Sequence, residues 1–417
     1  MPYKTLKTID YEAHHDSKTV GTEYERRIHN HGIFKSGLYP FLIDHQELSQ
    51  DRRELFITPL REIAIACERI EYNSAELKSK LKELPPIAEE LYLKKSLINE
   101  ITTSNRLSGI AVRRTEVKAA LDSINKDNQE QVRFAPMAKM YNKILEDDFQ
   151  RIESFVDLRK VYNQLLFGLI EKEQMPDGAF FRNRPVSIKN DQQKIIFQLP
   201  GNENDLEQRL SNWLKFISNK NIPFMIKGLL AHGYFKNIHP FYDGNGRTSR
   251  YILSLYLARK LDLVTGLNVA QAIYENRESY EKALLALGDQ GNFAEGSFFI
   301  NDSLSMIENR QRKIIEDLDV NIKQLSRTNK KIQQIYQINS PEYFVLNLLL
   351  QSKIFTDNQA DGLLDREIVE ISENSKHSKR AINLAIKSLE QKKTNYYPQE
   401  KSIPAFNRYK LKSNRIG

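Results

Sequence analysis

The sequence predicts a mainly α-helical protein with one small β-hairpin. Three observations carry this expectation. Apolar residues recur at helical spacing in segment after segment, as in Leu60, Ile63, Cys67 and Ile70. Proline and glycine punctuate those segments at their ends, as at Pro85-Pro86, Gly109 and Pro341. β character gathers in one short stretch, around Val186, Ser187, Ile188, Ile195 and Ile196.

Taken in order, residues 1–50 are polar with few clear periods and read as extended or loosely folded. From 52 to 84 the spacing of Leu55, Ile57, Leu60, Ile63, Cys67 and Ile70 predicts a helix. Pro85-Pro86 breaks it, and a second helix is expected over 87–103. Between 116 and 169 two further helices are expected: Val117, Leu121 and Ile124 begin one, and 137–144 and 158–169 supply the rest. The hairpin follows. Helices are then expected at 206–218 and 225–235, after a polar loop at 251 onward, at 279–287 and at 298–331. The last is strongly polar beyond Asn309 and reads as a connecting arm. Residues 341–417 read as a separate domain, with helices at 341–350, 366–373 and around Ala381–Leu389. A hairpin from Tyr396 to Tyr409 would complete it. The expected division is therefore 1–95, 96–305, 306–340 and 341–417.

Composition narrows the function. At 417 residues, 40% apolar and 28% charged, the chain has the make-up of an ordinary globular protein with room for two or three domains. No run of eighteen apolar residues predicts a membrane span, and the first residues lack the pattern of a secretion signal. Cys67 is the sole cysteine, which excludes an internal disulfide and fits a reducing, cytoplasmic setting. Its apolar neighbours predict an inert thiol. No Cys/His spacing suits zinc, and His232 reads as structural. The formal charge of +8 is uneven: eleven basic and two acidic residues give +9 over 375–417, leaving the rest at −1.

The run His239-Pro240-Phe241-Tyr242-Asp243-Gly244-Asn245-Gly246-Arg247-Thr248-Ser249-Arg250 concentrates the chemistry. Gly244 and Gly246 permit close backbone approach to an anion. The helix that starts behind them offers unpaired N–H groups and the positive end of a dipole. Arg247 and Arg250 are three apart, on one helix face, and suit two phosphates. Asp243 is a hard oxygen ligand for Mg2+. His239 can take a proton near neutral pH.

This run resembles the signature HxFx(D/E)GNGRxxR of Fic domains at every fixed position. The resemblance implies a helical core that transfers part of a nucleotide, usually AMP from ATP, to a Ser, Thr or Tyr hydroxyl of a protein, itself included. It implies His239 as base, Asp243 as Mg2+ ligand, and Gly244, Asn245, Gly246, Arg247, Thr248, Ser249 and Arg250 as nucleotide-binding. A Doc-type kinase carries Lys at the position of Gly246, so the resemblance favours nucleotidyl over phosphoryl transfer. The donor base stays open, since some members use UTP, GTP or a CDP-alcohol. Gly178 to Ile188 resembles the start of the family's flap, in which Val186, Ser187 and Ile188 would pair with a target strand. Tyr280 matches an aromatic near the adenine, although Ser279 replaces the usual first tyrosine and Tyr280 reads equally as a core residue.

Many Fic proteins carry an inhibitory helix, [S/T]xxxE(G/N), whose Glu pairs with the second arginine. Ser104 and Gly109 fit that pattern here, but Ser108 occupies the Glu position. A hydroxyl makes no ion pair, so inhibition is expected to be relieved. Glu100 is the alternative carboxylate, eight residues and about 12 Å earlier on a helix. The C-terminal domain resembles a winged helix-turn-helix, with Lys376, Lys379 and Arg380 as DNA contacts. That leaves a second expectation, a DNA-binding regulator with a nucleotide-sensing core. A second copy of the chain stands among the candidate partners.

Overall fold

A computed structural model describes residues 3–124, 132–189, 195–357 and 362–395. The hairpin expected over 396–409 lies outside them. The chain is mostly helical. It begins with α1 (Leu6–Glu12) and α2 (Ser17–Ile28). Four two-residue strands follow: β1 (Phe34–Lys35), β2 (Ile43–Asp44), β3 (Glu47–Leu48) and β4 (Phe56–Ile57). Then come α3 (Arg61–Glu83), α4 (Pro86–Arg106), α5 (Arg114–Asp122), α6 (Ala135–Leu145) and α7 (Phe155–Leu165). Among the described residues, three helices, α5, α6 and α7, stand where the sequence predicts two. The hairpin is β5 (Val186–Lys189) and β6 (Ile195–Leu199). After it stand α8 (Glu203–Ser218), α9 (Phe224–Ile238), α10 (Asn245–Lys260), α11 (Leu263–Gly266), α12 (Val269–Glu275) and α13 (Arg277–Leu287). The last elements are α14 (Ser297–Ile335), α15 (Pro341–Phe355), α16 (Asp365–Ser372) and α17 (Lys379–Asn395).

The contacts divide the chain differently from the sequence expectation. One unit joins the described residues of Met1–Leu77 and Ser96–Arg312. The other joins Lys78–Lys95 with those from Lys313 onward. No linker marks the borders, because all three fall inside helices, in α3, α4 and α14.

Residues 1–50 are more regular than their polarity suggested. α2 buries only Val20, Arg27 and Ile28, too few apolar positions to show a period. Arg27 instead forms ion pairs with Glu295 at 2.6 Å and Glu23 at 2.7 Å, and the hydroxyls of Tyr3, Thr58 and Ser297 also bond Glu295. Leu55 and Ile57 precede α3 rather than belong to it. Ile57 pairs with Phe34 in the β1–β4 ladder, and Pro59 lies just before the helix.

The core of the first unit is built on α9 and α10. α9 is apolar on all sides, and every residue from Met225 to Phe235 is buried. α8 covers it, with Trp213 Nε1 donating to the Ala231 carbonyl at 3.0 Å. α6 meets α10 through the edge-on rings of Tyr141 and Tyr251, 5.1 Å apart. The end of α9 and the start of α10 are thereby fixed, and the polar run spans the link between them and the first turns of α10. In the second unit, Val345, Leu348, Ile368, Ile382, Ala385 and Ile386 form a small separate core.

Candidate functional site

Residues 239–244 form a tight link from α9 to α10, with a left-handed residue at each end. His239 ends α9 at φ 51° and ψ 65°, and Gly244 precedes α10 at φ 82°. A Cβ on Gly244 would stand 2.2 Å from Leu166 Cδ1, so sterics and dihedral both require glycine there. Asn245 closes the loop. Its Oδ1 accepts from Phe241 N at 3.0 Å and its Nδ2 donates to Phe241 O at 2.7 Å. The Phe241 ring, fully buried, stacks on Tyr162 with centroids 3.8 Å apart.

A strained histidine persists only if its surroundings hold it. Arg182 does this. It is fully buried, donates Nε to His239 O at 2.7 Å, and donates its backbone N–H to Pro240 O at 3.0 Å. Its Nη1 donates to Arg184 O at 2.9 Å and Pro200 O at 2.5 Å. One guanidinium thus ties the foot of the β5–β6 hairpin to the peptide of the histidine. Burial lowers its pKa to about 10. The hairpin is antiparallel, with Val186 opposite Leu199, Ser187 opposite Gln198 and Ile188 opposite Phe197. Tyr242 adds a second tie: its hydroxyl accepts from Arg184 N at 2.7 Å and donates to Asp177 at 2.6 Å.

The protonation of His239 follows from its surroundings. Its Nδ1 lies 3.0 Å from the Lys236 carbonyl, which can only accept, so Nδ1 carries the proton and Nε2 keeps its lone pair. The ring is partly open to solvent but ringed by protein. Burial, with the charges of Lys236 and Arg182, pushes its pKa down to about 3. Lys236 is itself lowered to about 8, chiefly by burial and then by Arg250. His232 is buried and lowered to about 3; its Nε2 meets the Tyr280 hydroxyl at 2.7 Å. Tyr280 is 6% exposed and packs on Phe299, as a core position does.

The start of α10 gathers the groups that the sequence marked for an anion. Arg247 is fully buried; its Nη2 bonds Asp243 at 3.0 Å, while Nε and Nη1 are buried with no hydrogen-bond partner among the described residues. Such orphans in a polar cleft mark a missing acceptor. Gly246 faces Arg250 and Ser108 so closely that a Cβ would stand 3.1 Å from Arg250 Nη1 and 3.4 Å from Ser108 Oγ. Thr248 is buried, with its hydroxyl unpartnered. Ser249 turns its hydroxyl back to Gly246 O at 3.2 Å and lines an apolar cavity with Trp213 and His232.

Asp243 keeps 44% of its side chain exposed. Among the described residues no three His, Cys, Asp or Glu side chains cluster as a metal cage. One accessible carboxylate beside an anion cradle suits Mg2+, which takes most of its ligands from water and substrate phosphates. It does not suit a metal that needs a full protein cage.

Ser104 and Ser108 meet Arg250 across more than 140 residues of sequence. Arg250 donates Nε to Ser104 Oγ at 3.0 Å, and Nη2 to Ser104 O at 2.6 Å and Ser108 Oγ at 2.7 Å. Gly109 lies just past α4, at φ 73°. Glu100 is fully buried one turn away, accepting from Ser254 Oγ at 3.0 Å and from Ala270 N at 2.8 Å. Burial raises its pKa to about 7. Lys376, Lys379 and Arg380 belong to the second unit, where Lys379 is engaged by Glu373 at 2.5 Å. Among the described residues, no helix is long and apolar enough to cross a membrane.

Sequence reasoning missed Arg182, Lys236 and Tyr162. The only signal for Lys236 is its place one turn before His239.

Residues 154–257 match the model of the Fic/DOC family. Among curated relatives, a probable protein adenylyltransferase of Aquifex aeolicus is 36% identical over 110 residues, covering 26% of this chain and 28% of the relative. The protein adenylyltransferase Fic of Drosophila willistoni is 28% identical over 229 residues, covering 54% and 43%. The matches therefore span less than half the length of each relative. Among solved structures, a Fic family protein from Desulfovibrio desulfuricans superposes with a TM-score of 0.51 at 19% identity, covering 62% of this chain and 75% of that one. That likeness is one of fold.

Proposed function

We propose that this chain, whose residues 154–257 belong to the Fic/DOC family, transfers AMP from ATP to a Ser, Thr or Tyr hydroxyl of a protein, itself included. One observation carries the reading. A neutral histidine with its Nδ1 proton committed to a carbonyl ends α9, and the start of α10 that follows carries Arg247 N–H groups with no partner among the described residues.

His239 Nε2 takes the proton of the acceptor hydroxyl. The hydroxyl oxygen bonds to the α-phosphorus of ATP as the bond from that phosphorus to its β-bridging oxygen breaks, and pyrophosphate leaves. The N–H groups at the start of α10 and the Arg247 guanidinium take up the charge that builds on the phosphates. Mg2+, held by Asp243 and by the nucleotide itself, would supply further neutralisation. A pKa of about 3 makes His239 a weak base in the protein alone. The anionic nucleotide offsets the charges of Lys236 and Arg182, so it raises that pKa toward the working range. The β5–β6 hairpin presents Val186, Ser187 and Ile188 to a target strand.

Relief of inhibition is part of this reading. Among the described residues Arg250 makes no ion pair, and Ser108 meets it with a neutral hydroxyl. The test uses purified full-length chain with Mg2+ and ATP labelled at either the α- or the γ-phosphate. Label on protein from α-labelled ATP alone, lost in His239→Ala, is the expected result. Label from γ-labelled ATP would replace nucleotidyl by phosphoryl transfer. Full transfer by His239→Ala would remove the histidine from the role of base.

A further inference from the structure

The second unit carries a cationic helix face that its own core leaves open. α15, α16 and α17 share one small core, built from Val345 and Leu348 of α15, Ile368 of α16, and Ile382, Ala385 and Ile386 of α17. The link between α16 and α17, residues 373–378, is tied by its own side chains. Ser375 Oγ donates to Ser372 O at 2.7 Å and accepts from His377 N at 3.1 Å. Ser378 Oγ accepts from Ala381 N at 3.2 Å and so caps the start of α17. The His377 ring rests on Phe344 of α15, with centroids 5.5 Å apart. The unit itself therefore sets the pose of α17.

On the side of α17 away from that core, Arg380, Asn383, Leu384 and Lys387 are all exposed. They fall at i, i+3, i+4 and i+7, which is one stripe of a helix. From Lys379 to Lys387 the helix has three cations and no acid. Arg380 and Lys387 form no ion pair among the described residues. Lys379 meets Glu373 at 2.5 Å, but both side chains are more than half open to solvent, so the pair is weak and a phosphate can displace it. Asn383 Nδ2 rests on Lys379 O at 2.9 Å, which keeps Oδ1 for an outside donor. Leu384 is 58% exposed in the middle of these polar groups. One leucine is too little apolar surface to hold a helix in lipid. The stripe instead pairs cations for phosphates with the side-chain types that read base edges: a guanidinium for guanine, an amide for adenine and an apolar group for the thymine methyl. Its seven-residue length, about 10.5 Å, covers about three base pairs.

We propose that α17 reads duplex DNA: its open stripe enters the major groove, with Arg380, Asn383 and Leu384 against base edges and Lys376, Lys379 and Lys387 on phosphates. The start of the helix makes the base contacts, as in other helix pairs that present their second helix to DNA. The charge of the chain agrees, since residues 375–417 carry +9 and all the rest −1.

The experiment uses the full chain and short labelled duplexes that it recovers from a random pool, with affinity read by fluorescence anisotropy against salt. A recovered duplex should bind about a thousandfold tighter than a scrambled one. Asn383→Ala should weaken the recovered duplex about tenfold and leave the scrambled one within about twofold. Lys387→Ala should weaken both alike and lower the slope of log affinity against log salt by about one. Melting temperature and circular dichroism confirm that each exposed substitution leaves the fold intact. Equal binding of every duplex, of single strands and of heparin would reduce the face to a general polyanion surface and overturn the reading. A folded Arg380→Glu/Lys387→Glu chain that still binds the recovered duplex as the parent does would place the contact outside α17, and so would also overturn it. Binding to anionic vesicles with none to any duplex at about 0.15 M salt replaces DNA by a membrane surface.

Discussion

Replacing Arg182 by alanine should disable the site without touching the nucleotide. The side chain is fully buried and bonds only to backbone: Nε to His239 O at 2.7 Å, Nη1 to Arg184 O at 2.9 Å and to Pro200 O at 2.5 Å. Each bond from a charged donor is worth about 1.5–3 kcal/mol by mutation. The losses do not simply add, because water can enter the space left and bond some of the carbonyls. A stability loss of about 3–5 kcal/mol is the expected order, at the upper end for single changes. The catalytic loss has a separate origin. His239 sits at φ 51°, a conformation costing about 1–3 kcal/mol that lasts only while its carbonyl is held. Freed, the peptide relaxes and the imidazole leaves its line, which costs about ten- to a hundredfold in kcat. Affinity for ATP should change by less than about threefold, since nothing in the Arg182 geometry reaches the α10 cradle. Arg182→Lys has one ammonium for three carbonyls and should fall between. The assay is the rate of single-turnover auto-transfer from α-labelled ATP, with ATP affinity measured beside it. A folded Arg182→Ala chain with kcat within about threefold of the parent would refute the argument, as would loss of ATP binding at unchanged kcat.

Two further outcomes follow from the charges. Asp243→Asn should raise the Mg2+ concentration for half-maximal transfer by more than about tenfold, because Asp243 is the accessible carboxylate at the start of α10; an unchanged Mg2+ requirement, measured by titration, would remove Asp243 as a ligand. Glu100→Gln should stabilise the chain relative to the parent at pH 8 and much less at pH 5. Glu100 has a folded pKa of about 7 against an ordinary 4.5, so its stabilising protonated form is complete below about 4.5 and is lost as pH rises through 7. The shift corresponds to about 3 kcal/mol across that window. Denaturant unfolding of both chains at the two pH values checks this, and a pH-independent difference would contradict it.

What could be read in the sequence was what lies close together in it. The run from His239 to Arg250 spans twelve residues, and one helix end with one helix start places them all. Helices with a clear apolar stripe, such as α8, could be found from their spacing. α9 is apolar on every side, so length and flanking residues identify it better than period does. Arg182 could not be read, because its partner His239 O is 57 residues away and its acceptors are carbonyls with no side-chain signature. Tyr162 against Phe241 is another such pairing, across 79 residues. Ser104 and Ser108 were legible as a segment, but their contact with Arg250 spans 146 and 142 residues. The early helices were hidden for a different reason. α2 is held by the buried Arg27–Glu295 pair, and a charged anchor leaves no apolar period.

The candidate site is assembled against local preference at several points that share a direction. His239 is left-handed, Arg247 has N–H groups with no partner among the described residues, Arg250 rests on neutral oxygens, and Lys236 is half-buried with a lowered pKa. Each costs folding free energy, and the packed α8–α9–α10 layer is what tolerates the sum. Every uncompensated charge among them is positive, and the one acid in the loop, Asp243, is half-exposed at its edge. A fold that had only to be stable would place carboxylates beside Arg250 and Lys236 as well, as Asp243 stands beside Arg247. At about 4 Å and an effective dielectric near 20, each such pair gains about 4 kcal/mol before desolvation. Hydroxyls and carbonyls at the same places orient the guanidiniums yet leave their charge to be satisfied by a ligand. The choice of Ser104 and Ser108 over an acid beside Arg250 therefore bears on function more than on stability.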